Sequence, residues 1–405
     1  MPAALFLATL GVMLFRPPGL EFYSLDRVAF LIFVLVILLR ALALRQSLRV
    51  AGGLMGPMLG LTALAAMSAL SHPFEAKTWS VLAAKYFVPF VLFWAAGLVF
   101  KDERSVRWLE RFSFVVLAYL SFTAIAFLVG IHELVFPPFI LDETIGMHAD
   151  RARGPFLQAV ANGVTLNLLG LLAIAGYRGG RLRGIWALSL LASLPVAILA
   201  TKTRGVWLAF GGSVTWLIFR SGDRKARRAF LVCAGLAAIA LIAVIGLRDM
   251  GPALGDRLQD NSSIEFRMAA YRTGLGMFQE RPLTGWGTNE LQAALAARIN
   301  GFRGESFAVH NTYLEVLIEH GVVGFALYVW LMLGLFRLCK PRFGEQDAIA
   351  ALRSLWPLLL AVYLVNAAFV VMNYQFVNGL LFTFAGILAA SPVSARQAGR
   401  DVDAA

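Results

Sequence analysis

Three short segments hold the residues whose types and spacing could do chemistry. The first is His310-Asn311, then nine residues, then Gly321-Val322-Val323-Gly324. His310 falls where a long polar stretch gives way to an apolar one, so it is expected at or just before the N-terminus of a helix that begins near Asn311. The positive end of a helix dipole disfavours the imidazolium form. A neutral imidazole at a water–lipid boundary is suited to accept a proton. Glu315 and Glu319 are four apart and lie within the first three turns of that helix. Carboxylates inside an apolar helix are costly and face a cavity or a partner. Gly321 and Gly324 are expected to let another helix approach closely. The plainer role for His310 is a helix cap at the interface.

The second segment is Thr201-Lys202-Thr203-Arg204-Gly205-Val206-Trp207, a very short turn between two apolar runs. Lys202 and Arg204 held together at a membrane surface make an anion site, and arginine offers a fork that matches phosphate oxygens. Snorkelling to lipid headgroups is the plainer role. The third segment is Ser262-Ser263-Ile264-Glu265-Phe266-Arg267, continuing through Tyr271-Arg272 to Arg281-Pro282-Leu283-Thr284-Gly285-Trp286-Gly287. Ser262 or Ser263 can cap a helix, and Pro282 with the glycines ends it. Arg267 and Tyr271 are four apart and share a face. A lone G-x-G is weak as a phosphate motif, and a solvated amphipathic helix explains the segment equally simply. Two weaker signals are Arg151-Ala152-Arg153-Gly154-Pro155-Phe156 and Lys85-Tyr86. A lysine inside a span invites a functional reading, although it can also snorkel.

The elements that must position these residues are membrane helices. The chain is 59% hydrophobic and only 15% charged, far from the roughly 25% charged residues of an ordinary soluble domain. Its mean hydropathy is +0.72. About 20 apolar residues cross a bilayer core, and twelve stretches qualify: 1–15, 28–44, 50–71, 79–100, 112–130, 155–177, 184–200, 204–219, 229–247, 311–336, 354–371 and 374–391. A signal peptide is the rival for the first, but it lacks a basic start and an A-x-A site. The net charge of +12 does not point to nucleic acid, because the basic residues punctuate the apolar runs and act as topology signals. With the N-terminus in the cytoplasm, clusters such as Arg220, Arg224, Lys225, Arg227 and Arg228 fall inside. Two polar regions then face outward, 131–153 and 248–309, and the second is long enough to be a folded loop domain. The expected organisation is helices 1–9 over 1–247, an outer loop domain over 248–309, helices 10–12 over 310–391, and a cytoplasmic tail over 392–405. Cys233 and Cys339 make no disulfide framework, and the five histidines do not group at metal-ligand spacing.

Taken together, the H-N-x9-G-x-x-G pattern at 310–324, the T-R-G turn at 203–205 and the S-S-x-x-x-R … P-L-x-G-x-G stretch at 262–287 resemble the O-antigen ligase and polymerase superfamily of polytopic membrane glycosyltransferases. The resemblance runs from about Lys85 to Gly324. It implies an all-α fold of about twelve spans in the bacterial inner membrane, both termini cytoplasmic and the active site facing the periplasm. It implies a glycan donor on undecaprenyl pyrophosphate. The acceptor is a sugar hydroxyl of lipid A–core in the ligase branch, or another lipid-linked repeat unit in the polymerase branch. It implies that Arg204 and Arg267 bind the pyrophosphate, that His310 deprotonates or positions the acceptor hydroxyl, and that transfer inverts the anomeric carbon without metal or other cofactor. Arg272, Arg153, Lys85, Lys202, Tyr271 and Asn311 are further candidates for substrate binding. The ligase is the first expectation and the polymerase the second. A lipid-glycan transporter, a different class, would place charges near the midplane of several spans.

Overall fold

A computed structural model describes residues 2–16, 24–45, 53–220, 262–299, 308–342 and 344–390, and for 262–264 the backbone alone. Every regular element among them is helical: α1 (Pro2–Leu14), α2 (Leu25–Ala43), α3 (Met55–Leu70), α4 (Ala76–Val99), α5 (Glu103–Val129), α6 (Ala159–Arg178), α7 (Gly184–Ala200), α8 (Arg204–Arg220), α9 (Ser262–Glu280), α10 (Gly287–Arg298), α11 (Thr312–Arg337), α12 (Asp347–Ala367) and α13 (Gln375–Ala390). Five of these, α4, α5, α6, α11 and α12, are long and apolar enough to cross a membrane, and α1, α3, α7 and α13 are shorter apolar helices. The helix expected over 229–247 and the tail 392–405 lie outside the described residues.

The bundle is built around two helices with almost no exposed face. Fifteen of the twenty residues of α6 are buried, as are fourteen of the sixteen of α13. Both are apolar all round, as a helix at the centre of a bundle must be. α13 packs along the second half of α4, α5 packs on α6 and α7, and α12 packs on α6 and α8. Helices at the rim instead expose large apolar residues, among them Leu31, Leu35, Leu39 and Leu42 on α2 and Ile185 and Trp186 on α7. An apolar outer belt of this kind suits contact with lipid rather than water.

Polar contacts separate the two ends of the bundle. At one end Arg181 on the α6–α7 turn pairs with Glu110 at 2.8 Å, and buried Arg353 pairs with Glu345 and donates to the Leu338 and Leu388 carbonyls. At the other end Lys202 reaches the Asp150 carbonyl at 2.8 Å, the Ala152 N–H donates to the Ala200 carbonyl at 3.0 Å, and the Thr312 hydroxyl donates to the Val370 carbonyl at 2.8 Å. The segments around 150, 202, 310 and 370 therefore share one end.

The polar segment 131–158 is not a free loop. It holds three short 3-10 turns, and Arg153 is its centre, only 1% exposed. The Arg153 guanidinium donates to the carbonyls of Ile140 at 2.9 Å, Ile145 at 2.5 Å and Asp142. Three carbonyls drawn to one buried cation fold the segment over the end of the bundle.

A second, smaller core sits at this same end. Phe266, Ala270 and Met277 from α9, Leu291 and Leu295 from α10, Val309, and Ile318 from α11 bury one another. The helix expected to start at Ser262 or Ser263 and to end at Pro282 is present as α9, and with α10 it packs into a cap on the first turns of α11.

Candidate active site at the entrance of α11

His310 adopts a left-handed backbone conformation, φ 52°, and the chain then turns into α11 through Asn311. The Asn311 side chain accepts from the Leu314 N–H at 3.0 Å, which satisfies one of the free donors of the helix start. Asn311 is therefore a cap, and His310 stands just ahead of it, where the sequence put it. Its ring meets Phe266 edge to face, centroids 6.1 Å apart. Phe266 immediately precedes Arg267 on α9, so α9 is brought to the histidine.

Arg204 is the first residue of α8. The turn before it is tight because Thr201 caps α7 through the Ile198 carbonyl at 2.7 Å and the Trp207 indole donates to that same carbonyl at 2.9 Å. Gly205 lies against Phe369 and Asn366 at the end of α12. The next turn contains Val370, the acceptor of the Thr312 hydroxyl. A run of contacts thus joins Arg204 to the His310 segment across the α12–α13 turn. Arg204 and Arg272 are exposed, Arg267 is half-buried, and none of the three has an ion-pair partner among the described residues. Tyr271, half-buried on α9, packs on the small core of the cap. Lys202, in a left-handed turn with φ 48°, holds Asp150.

Two sequence candidates are committed to protein partners. Arg153 serves the three carbonyls described above. Lys85 is buried in a five-residue π-helical stretch, Ala83–Phe87, inside α4. Its ammonium lies 2.8 Å from Glu315 Oε1 and 2.5 Å from Glu319 Oε2. These are the partners that the buried carboxylates were expected to need. Beside them Tyr86 Oη lies 3.2 Å from His320 Nε2. His320, one of the dispersed histidines, carried no chemical signal in the sequence, and only the fold brings Tyr86 to it.

The glycine pattern works differently from its sequence reading. Among the described residues, a turn rather than a helix lies against Gly321, through Pro282 and Leu283. The helix α11 breaks there, with φ 63° and ψ −164°. That backbone region is essentially open to glycine alone. The turn between α9 and α10 docks into the break: the Val322 N–H donates to the Pro282 carbonyl at 2.8 Å, and the Trp286 N–H donates to the Ile318 carbonyl at 2.9 Å. The P-L-x-G-x-G and H-N-x9-G-x-x-G segments are therefore two halves of one junction. Trp286 is itself held between the guanidiniums of Arg281 and Arg298, at 4.1 and 4.5 Å from the ring centre.

Beyond this junction, Glu290 on α10 bridges Arg281 at 2.8 Å and His72 at 3.3 Å, and the Thr288 N–H donates to Ser68 Oγ at 3.1 Å. The cap is thus tied to α3 as well as to α11. The carbonyl of Ser68 and the carboxylate of Glu290 both hold the His72 imidazole above its ordinary value.

No curated protein matches the chain. Residues 186–329 match the family model described as O-antigen ligase. The matched span runs from α7 into α11 and contains Arg204, Arg267, His310 and the junction at Gly321, and over that span the chain is similar to the O-antigen ligase family.

Proposed function

We propose that the protein is an O-antigen ligase that transfers a glycan from undecaprenyl pyrophosphate to a sugar hydroxyl of lipid A–core, at the periplasmic face of the bacterial inner membrane. The observation that supports this best is the placement of His310 at the capped entrance of α11 against Phe266, with Arg204 and Arg267 at the same end and without ion-pair partners among the described residues. A diphosphate brings negative charge to the membrane surface. Arg204 offers it a guanidinium beside the N–H groups of a helix start, a favourable anion environment. Arg267, with Arg272 five residues further on in α9 and Lys202 in the α7–α8 turn, adds to the same field.

In this reading the acceptor hydroxyl attacks the anomeric carbon. The bond between that carbon and the phosphate oxygen breaks, the lipid pyrophosphate leaves, and the hydroxyl proton passes to His310. The arginines stabilise charge that grows on the leaving oxygen, so a protein acid is less necessary than a positive clamp. The reaction inverts the anomeric centre, and no metal is invoked.

A polymerase that joins lipid-linked repeat units would use the same residues. The test supplies purified protein with a lipid-linked donor and offers either lipid A–core or a second lipid-linked unit. Glycan on lipid A–core supports the ligase, and extension of the second unit supports the polymerase. Transbilayer movement of intact donor with no new glycosidic bond would replace both by a transporter.

A further inference from the structure

Lys85, Glu315 and Glu319 form a charged group inside the bundle, and the proposed chemistry leaves them without a task. The side chains are 5%, 13% and 2% exposed. Their placement is specific. Glu315 and Glu319 stand one turn apart on the face of α11 turned to α4, and a single ammonium bridges both. That ammonium is delivered by the π-helical stretch of α4, whose extra residue per turn alters which side chains face inward. The carbonyl of Ala84 in that stretch receives the Asn378 side-chain amide at 3.2 Å. The local widening of α4 is thus supported from α13.

The other end of the linkage reaches His310. The Glu315 N–H donates to the Asn311 carbonyl at 2.9 Å, and the Asn311 side chain caps Leu314. The first turn of α11 is held again by Thr312, which donates to the Val370 carbonyl and accepts from the Met372 N–H at 2.9 Å, and by Tyr313, whose hydroxyl donates to the Leu364 carbonyl at 2.7 Å. On the remaining side, toward α4, Lys85 holds Glu315 and Glu319, and Tyr86 Oη meets His320 Nε2 at the far end of the piece. The break at Gly321 interrupts α11 only two residues after Glu319. The short piece 312–320 therefore cannot take its position from the rest of α11, and side contacts must set it.

We propose that Lys85 is a positioning residue: through Glu315 and Glu319 it fixes the short first piece of α11 and so sets the place of His310, and it does not bind the donor diphosphate. This rests on the reading of His310 as the group that receives the acceptor's proton. Removing the lysine alone leaves two buried carboxylates facing each other without a counter-charge. Removing all three charges leaves a neutral contact of similar volume. For a buried ion group the first change is strongly disruptive and the second nearly harmless. A ligand of the diphosphate behaves in the opposite way, because silencing the glutamates does not restore a lost cation.

The experiment compares wild type, Lys85→Met, Lys85→Arg and the triple variant Lys85→Met/Glu315→Gln/Glu319→Gln as full-length protein in lipid nanodiscs, with a lipid-linked glycan donor. Lys85→Met is expected to lower kcat on the order of 100-fold, the effect of a small misplacement of a catalytic group, with the donor KM little changed. Lys85→Arg is expected to retain much of the rate. The triple variant is expected to recover most of what the single change loses. Amide hydrogen exchange over 311–316 is read in the same samples: faster in Lys85→Met, back to the wild-type rate in the triple variant. A raised donor KM at preserved kcat, or a folded triple variant as inactive as Lys85→Met, overturns the proposal. If Lys85→Met does not fold, the triple variant decides: wild-type kcat and donor KM support positioning, and a raised donor KM refutes it. The exchange pattern is independent of catalysis, so a wild-type protein without transferase activity refutes the proposed function, and an unchanged exchange rate in Lys85→Met refutes the positioning role.

Discussion

The Val322 N–H donates to the Pro282 carbonyl across 2.8 Å, and by this bond the cap formed by α9 and α10 is fastened to α11. The two glycines at the junction leave no room for a side chain. A Cβ on Gly321 would lie 2.3 Å from the Leu283 carbonyl oxygen, and one on Gly285 would lie 2.5 Å from the Glu319 carbonyl oxygen. Both have positive φ, 63° and 72°. Backbone on each side cannot move aside as a flexible side chain could. Gly321→Ala is expected to destabilise the protein by about 3 kcal/mol or more, the strain of the backbone region added to the clash. Thermal unfolding in detergent or nanodiscs measures it. An unchanged melting temperature would show that the junction does not form as described.

His310→Ala is expected to lower kcat by roughly 10²- to 10⁴-fold, the usual contribution of a general base. Insertion into the membrane and the melting temperature should stay close to wild type, because the ring is half-buried and stands ahead of the cap of α11 rather than within the bundle. Single-turnover glycan transfer by the purified variant checks this. Wild-type transfer would remove His310 from the chemistry.

The helix start near Asn311, His310 just before it and the start of α8 at Arg204 were readable in the sequence, because the ends of apolar runs are local signals, whereas Asn311, expected to bind substrate, is the cap itself. The helix α9, between Ser262 or Ser263 and Pro282, was readable from its capping and breaking residues. The role of Gly321 was not. A G-x-x-G spacing is equally compatible with helix crossing and with a break, and only the turn arriving from residues 282–286 decides between them. Arg153 and Lys85 show the same limit. A cation in or beside an apolar run announces that it needs partners, but the carbonyls of Ile140, Asp142 and Ile145, or the carboxylates of Glu315 and Glu319, are chosen by tertiary packing.

Arg204→Ala and Arg267→Ala are expected to raise the donor KM on the order of 10- to 100-fold each, the loss of a charge-assisted contact. The acceptor KM should change far less. Lysine at position 204 should recover only part of the loss, since it keeps the charge but not the planar fork. Initial rates with donor and acceptor varied in turn separate the two. Equal effects on both substrates would argue against an arginine clamp on the diphosphate.

His72 links the cap to α3 through Glu290, and its imidazole is held above its ordinary value by the Ser68 carbonyl and the Glu290 carboxylate. A folded-state value above the unfolded one means that the contact contributes fully below the unfolded value, about pH 6.5, and fades as the pH rises through the folded value. Docking of α10 on the 68–72 segment should therefore be tightest in mild acid and loosen progressively above neutrality. The ring is partly exposed and screened by solvent, so the effect should be modest. Hydrogen exchange over 287–298 at pH 5.5 and 8.5, corrected for the intrinsic rate, measures it. Protection should be greater at the lower pH in the wild type, and His72→Gln should remove that difference while leaving the Thr288–Ser68 contact in place. Greater protection at pH 8.5, or a pH dependence that survives in His72→Gln, would assign the coupling to another group.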